Sequence, residues 1–163
     1  EYRRQRQMCI RDRSGWETTD LLNAIADSSL EDYNLISLLI GVNNQFSNRP
    51  FETYTTEFDL LLDKAIKLVG ANRTFVISIP DYGVTPFGSN NSANIAIELD
   101  EYNAYAASKC QTLNIPFINI TEISRQLGDT NGALATDSLH PSGMQYGKWV
   151  EEMLPVVLEM LDE

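Results

Sequence analysis

The chain has 163 residues, the size of one domain, and its 43% hydrophobic content supplies enough apolar side chain for a single core. A net charge of −11 disfavours any partner bound by neutralising phosphates, so a nucleic-acid partner is not expected. No apolar run approaches the roughly 18 to 20 residues of a membrane-spanning helix, and the composition excludes disorder and collagen-like repeats.

Residues 1–13 hold five arginines against Glu1 and Asp12 and show neither helical nor strand periodicity. They read as a leader foreign to the domain that follows over residues 14–163, either a solvated basic arm or a scar of expression or gene assembly. Residues 17–26 place Leu21, Leu22 and Ile25 on one face of a predicted helix. Residues 33–40, a nearly continuous apolar run closed by Gly41, predict a strand buried on both faces. A long crossover helix is predicted over residues 51–69, after Pro50 and before Gly70, with Tyr54, Phe58, Leu61, Leu62, Ala65, Ile66 and Val69 at spacings of three and four. Residues 74–79 predict a second buried strand stopped by Pro80, followed by a Gly-, Pro- and Asn-rich loop over residues 81–91 that carries Tyr82 and Phe87. A helix over 93–110, a third strand over 116–120, a short helix over 121–127, a polar loop over 128–139 and a final helix from Pro141 to about Leu161 complete the chain.

This alternation predicts an α/β fold built on a parallel sheet, with three evident strands, fewer than such sheets usually have. Part of the sheet is expected to be missing at the front. Cys9 and Cys110 make no disulfide framework and have no Cys or His at metal-ligand spacing, so both are read as structural thiols.

In a parallel α/β sheet, ligands bind beyond the carboxyl ends of the strands, which singles out three segments. Gly41-Val42-Asn43-Asn44 follows the first strand; it is either a plain Asn-rich turn or a tight turn that offers an amide donor to a developing oxyanion. Asp137-Ser138-Leu139-His140-Pro141 holds the single histidine of the chain. An imidazole oriented by a carboxylate three residues away is what a general base needs, the alternative being a helix-capping histidine beside a turn-forming aspartate. Ser14-Gly15-Trp16 precedes the first helix, as a simple helix entry or as a backbone N–H donor to a shared site.

In this order and at this spacing, the three segments make the chain from about residue 14 onward resemble the SGNH (GDSL-type) hydrolases, esterases and lipases. The resemblance implies a three-layer α/β/α, flavodoxin-like fold. It also implies Gly15 and Asn43 as oxyanion-hole donors, Asp137 as the orienting acid and His140 as the base. Asn44 stands where the family usually has Asp; it is assigned, with Tyr82 and Phe87, to the substrate pocket.

The family's Gly-Asp-Ser block after the opening strand is absent. Gly128-Asp129-Thr130 has similar letters but follows the third strand, and no Gly-x-Ser-x-Gly elbow exists. Ser37 and Ser78 lie within strands, while Ser14 and Ser142 sit beside other site segments, so no residue is assigned as nucleophile. The expectation is a serine ester hydrolase whose true start, with strand one and its serine, has been lost, and which is inactive in this form. A non-catalytic α/β module that keeps the cleft to bind an ester is the alternative, and a flavodoxin-like phosphate domain is disfavoured because no glycine-rich phosphate cradle follows any strand. A small-molecule ester is the expected partner, with no metal or organic cofactor.

Overall fold

The computed structural model describes residues 15–26 and 33–162. Nine elements carry the architecture: α1 (Thr18–Ala26), β1 (Ile36–Leu38), α2 (Val42–Phe46), α3 (Phe51–Val69), β2 (Thr74–Ile77), α4 (Ser92–Leu113), β3 (Phe117–Ile118), α5 (Thr121–Leu127) and α6 (Gly143–Asp162). The strands form one parallel sheet in the order β1-β2-β3, with Leu38 opposite Val76 and Val76 opposite Phe117.

Side-chain alternation along β2 builds the layers, because successive residues of a strand point to opposite faces. Val76 enters a core with Leu38, Tyr54, Phe58, Leu62, Leu99 and Tyr102, supplied by α3 and α4. Its neighbour Phe75 enters a second core with Ile118, Ile120, Trp149 and Met160, closed by α6. Helices therefore cover both faces of the sheet, which is the α/β/α arrangement. The α3 helix starts directly after Pro50 and stops at Gly70, whose φ of +86° suits a residue without a Cβ.

The strands are shorter than their apolar runs. Hydrophobicity marks what is buried, whereas a strand ends where its backbone loses ladder partners. Past Ser78, whose N–H still donates to Ile118 O at 2.9 Å, those partners become side chains: Ile79 N donates to Asn103 Oδ1 at 2.8 Å, and the Ser78 hydroxyl accepts from Ile120 N at 2.8 Å and from Thr121 N at 3.1 Å. Among the described residues β1 is paired on one side only, so Ser37 is exposed and the strand is not buried on both faces as its sequence implied. The segment after β1 forms the short helix α2, not a plain turn, with Gln45 N donating to Gly41 O at 3.2 Å.

Pro141 lies before the last helix and not at its first turn. It pairs with Leu134 in an isolated antiparallel bridge, and Ala135 N donates to His140 O at 2.8 Å while Ser142 N donates to Ala133 O at 3.0 Å. The polar loop over 128–139 thus closes on itself at residues 133–142. Cys110 lies on the buried face of α4, and burial pushes its thiol up to about 11, which suits a packing role. Cys9 and the leader over residues 1–13 lie outside the described residues. No helix among the described residues is long and apolar enough to cross a membrane.

Candidate active site

The closed loop over residues 133–142 holds Asp137 and His140 in fixed relation. Asp137 Oδ1 accepts from Leu139 N at 3.0 Å and from His140 N at 2.9 Å, while Oδ2 meets His140 Nδ1 at 2.7 Å. Ser138, at φ +60°, makes the tight reversal between them, and its N–H bonds Ala135 O at 3.0 Å. The His140 backbone donor, its ring and the Leu139 N–H together hold the Asp137 carboxyl at about 2. A carboxylate that stays ionised at Nδ1 selects the tautomer with its proton on that nitrogen. Nε2 is then a lone-pair acceptor, and among the described residues it carries no hydrogen bond.

Asn43 occupies the first turn of α2, whose direction is set at Gly41. This glycine has φ +123°, and a Cβ there would stand 2.5 Å from the Tyr54 ring and 2.9 Å from Ile79 Cδ1. Only glycine permits that approach. The Asn43 amide donates one hydrogen to Trp16 O at 3.0 Å, which fixes its rotamer and leaves its second N–H available. Gly15 adopts φ +81° with open space where a side chain would stand, immediately before the turn that leads into α1.

Gly15, Asn43, Tyr82, Phe87 and His140 line one cavity of about 380 Å³ at the carboxyl end of the sheet. Asp137 reaches it through the His140 ring. Asn44 does not line it: fully buried, it accepts from Thr18 N at 3.0 Å and donates to Thr18 Oγ1 at 2.6 Å, so it joins α2 to the start of α1. Asn44 turns away from the cavity that Val42 and Asn43 line, toward the start of α1.

Sequence reasoning missed other lining residues. Phe46, one turn after Asn43, packs against Tyr82 with ring centroids 6.0 Å apart and against Phe87 at 5.9 Å, forming an aromatic rim. Its signal was a large apolar side chain at i+3 from the candidate donor. Behind the rim, Tyr82 donates to Gln45 Oε1 at 2.9 Å and Gln45 donates to Glu98 at 2.7 Å. Desolvation raises the Tyr82 hydroxyl pKa, so it remains a neutral donor. Gln145 and Trp149, on the face of α6 turned to the sheet, also line the cavity. The buried carboxylate of Asp81 reaches it too, but is paired with Arg125 Nε at 2.9 Å and accepts from Gly83 N at 2.7 Å. The cavity therefore presents little net charge.

Each described serine singled out in the sequence is engaged elsewhere or misplaced. Ser37 lies on β1, Ser78 is buried between β2 and α5, and the Ser142 hydroxyl bonds Gly132 O. Ser124 reaches the cavity, but its hydroxyl donates to Thr121 O at 2.6 Å and accepts from Asp81 N at 2.8 Å. Ser14 lies outside the described residues. Gly128 of the Gly-Asp-Thr triplet ends α5 at φ +53°, a helix-terminating role. No group of three or more His, Cys, Asp or Glu residues that might hold a metal occurs among the described residues.

Solved structures share this fold. A variant of an acetyl xylan esterase from Geobacillus stearothermophilus superposes with a TM-score of 0.69 at 18% identity, covering 88% of this chain and 69% of its own. A GDSL-like lipase from Bacteroides thetaiotaomicron gives a TM-score of 0.68 at 16% identity, covering 90% and 73% respectively. At these identities the likeness speaks for the fold. No curated protein sequence gives a significant match. The GDSL-like lipase/acylhydrolase family model matches residues 3–147. With that match spanning most of its length, the chain belongs to the GDSL-like lipase/acylhydrolase family of hydrolases.

Proposed function

We propose that the chain carries the base and the oxyanion donors of a serine ester hydrolase working through an acyl-enzyme. The observation that carries this reading is the meeting of Asn43 and His140 on one cavity, with Asp137 bound to the His140 ring nitrogen at 2.7 Å. In the reaction, a serine hydroxyl adds to the ester carbonyl as its proton passes to His140 Nε2, and Asp137 stabilises the imidazolium. Negative charge collects on the former carbonyl oxygen, where the free N–H of Asn43 and the Gly15 N–H donate to it. Collapse expels the alcohol, which takes the proton back from His140. Water then adds to the acyl group by the same route, with His140 again the base, and releases the carboxylic acid.

No nucleophile is assigned among the described residues, and on this reading those residues alone turn over little or no ester. An uncharged, aromatic-rimmed cavity of about 380 Å³ suits small neutral esters, in line with the acetyl esterase among the fold relatives. The test has two arms. Incubated with p-nitrophenyl acetate, the chain should show no hydrolysis that His140→Ala abolishes and no labelling by a fluorophosphonate probe. If its gene encodes residues before Glu1, the longer protein should gain hydrolysis that His140→Ala and Asn43→Ala each remove. Failure of the second arm in a folded protein would contradict the hydrolase reading, and activity in the first would place the serine within this chain.

A further inference from the structure

Hydrogen bonds outside the cavity tie together the two segments that carry Gly15 and Asn43. Thr18, fully buried at the start of α1, gives its N–H to Asn44 Oδ1 at 3.0 Å, and its hydroxyl accepts from Asn44 Nδ2 at 2.6 Å. Next to this pair, Asn43 donates to Trp16 O at 3.0 Å. The first turn of α2 is thus fastened to the entry of α1 at two neighbouring points. Gly15 and Asn43 line the cavity, whereas Thr18, Asn44 and Glu57 do not.

The direction of these bonds is set from their far end. A backbone N–H only donates, so the Asn44 oxygen faces Thr18 N and its NH2 group faces the Thr18 hydroxyl. That hydroxyl has one proton, and it accepts from Asn44 without stranding that proton only if another group takes it. The group that takes it is Glu57 Oε2, on α3. Thr19 donates to the same carboxylate, at 2.7 Å to Oε1 and 2.9 Å to Oε2, so two hydroxyls hold the head group in place. Thr18 is shut off from water, so loss of the acceptor leaves a buried donor unpaired, and a Thr18 rotation that relieves it breaks the bond from Asn44.

We infer that Glu57 is a positioning residue for the oxyanion donors: by taking the Thr18 proton it fixes Asn44, and through Asn44 the turn of α2 that presents Asn43 beside Gly15. This rests on the proposed ester site and adds to it a residue on α3, outside the three segments that the sequence singles out. Glu57 acts through Thr18 and touches no substrate.

The test needs binding alone, with acetate as the probe and the Gly15 N–H and Asn43 side-chain amide signals of a nitrogen–proton correlation spectrum as the readout. Acetate should shift both signals in the parent chain. Glu57→Leu should move both before any acetate is added and weaken acetate binding about tenfold, the worth of one hydrogen bond to a charged group. Glu57→Gln, whose amide oxygen still accepts the Thr18 proton, should keep the parent's signals and affinity. Thr18→Val breaks the chain of bonds at its middle and should match Glu57→Leu, which gives the answer if Glu57→Leu does not fold. A variant of either kind that melts lower but binds acetate as the parent does would make Glu57 a prop of the fold alone and overturn the inference. Glu57→Gln binding as weakly as Glu57→Leu would overturn it too. If acetate moves neither signal in the parent, the ester site itself fails and the positioning role with it.

Discussion

Replacing Asn44 by Asp, the residue usual at this place in the family, should destabilise this protein. The reason is a directed chain of donors: the Asn44 amide donates to Thr18 Oγ1 at 2.6 Å, and that hydroxyl donates its single proton to Glu57. A carboxylate at position 44 puts acceptors on both sides of one hydroxyl, so one buried hydrogen bond is lost and a charge is left fully buried. Loss of the bond costs about 1 kcal/mol and the unpaired acceptor roughly 1–3 kcal/mol more, about 2–4 kcal/mol in all. For a chain of this size that lowers the melting temperature by about 5–15 °C. Thermal unfolding followed by circular dichroism at pH 7 measures it. Burial raises the pKa of the introduced carboxyl above its unfolded value, so the deficit should be largest at neutral pH and shrink as falling pH protonates the group. Asn44→Ala should show a deficit without that recovery in acid. An Asn44→Asp variant melting within about 1 °C of the parent would refute the donor chain and the link it makes between α1 and the helix that bears Asn43.

Other consequences follow from the same contacts. With Asp137 held at about 2, its contribution to stability should be present above the ordinary carboxyl range near 4 and lost as pH falls through 2; carbon NMR of the Asp137 carboxyl should give that midpoint. Asp137→Ala should free the His140 ring from its single tautomer, which nitrogen chemical shifts of the imidazole read directly, and unchanged shifts would contradict the assignment. Gly41→Ala forces a Cβ to 2.5 Å from the Tyr54 ring at φ +123° and should cost about 2–5 kcal/mol by denaturant unfolding. Tyr82→Phe keeps the ring and removes the donor to Gln45, leaving a buried acceptor unpaired; a drop in melting temperature of about 2–6 °C is expected.

Much of the fold was legible because helix periodicity is a direct imprint of burial. Residues 51–69 read as a helix and are one, with Tyr54, Phe58, Leu61, Leu62 and Ala65 buried at the predicted spacings. Strand ends were not legible, since the N–H of Ile79 turns to Asn103 and those of Ile120 and Thr121 turn to the Ser78 hydroxyl, pairings between positions far apart in the sequence. In the site, short-range order carried the Asp137–His140 pair, three residues apart on one closed loop. Asn44 illustrates the opposite case: its letter and neighbourhood pointed to the pocket, but its side chain is taken up by the N–H and hydroxyl of Thr18, a distant partner that no local pattern reveals. Phe46, Gln145 and Trp149 escaped notice because apolar and amide side chains on helices look like ordinary core until the cavity itself is drawn.

The central claim is that Gly15, Asn43 and His140 act on one small volume. Crystals of the chain grown with acetate, the product of the simplest acyl group, test it directly. The account predicts a carboxylate with one oxygen accepting from the Asn43 amide and Gly15 N–H, and with His140 Nε2 within hydrogen-bond reach of the same ion. An acetate bound elsewhere, or an Asn43 amide and a His140 ring too far apart for one carboxylate to meet both, would contradict it.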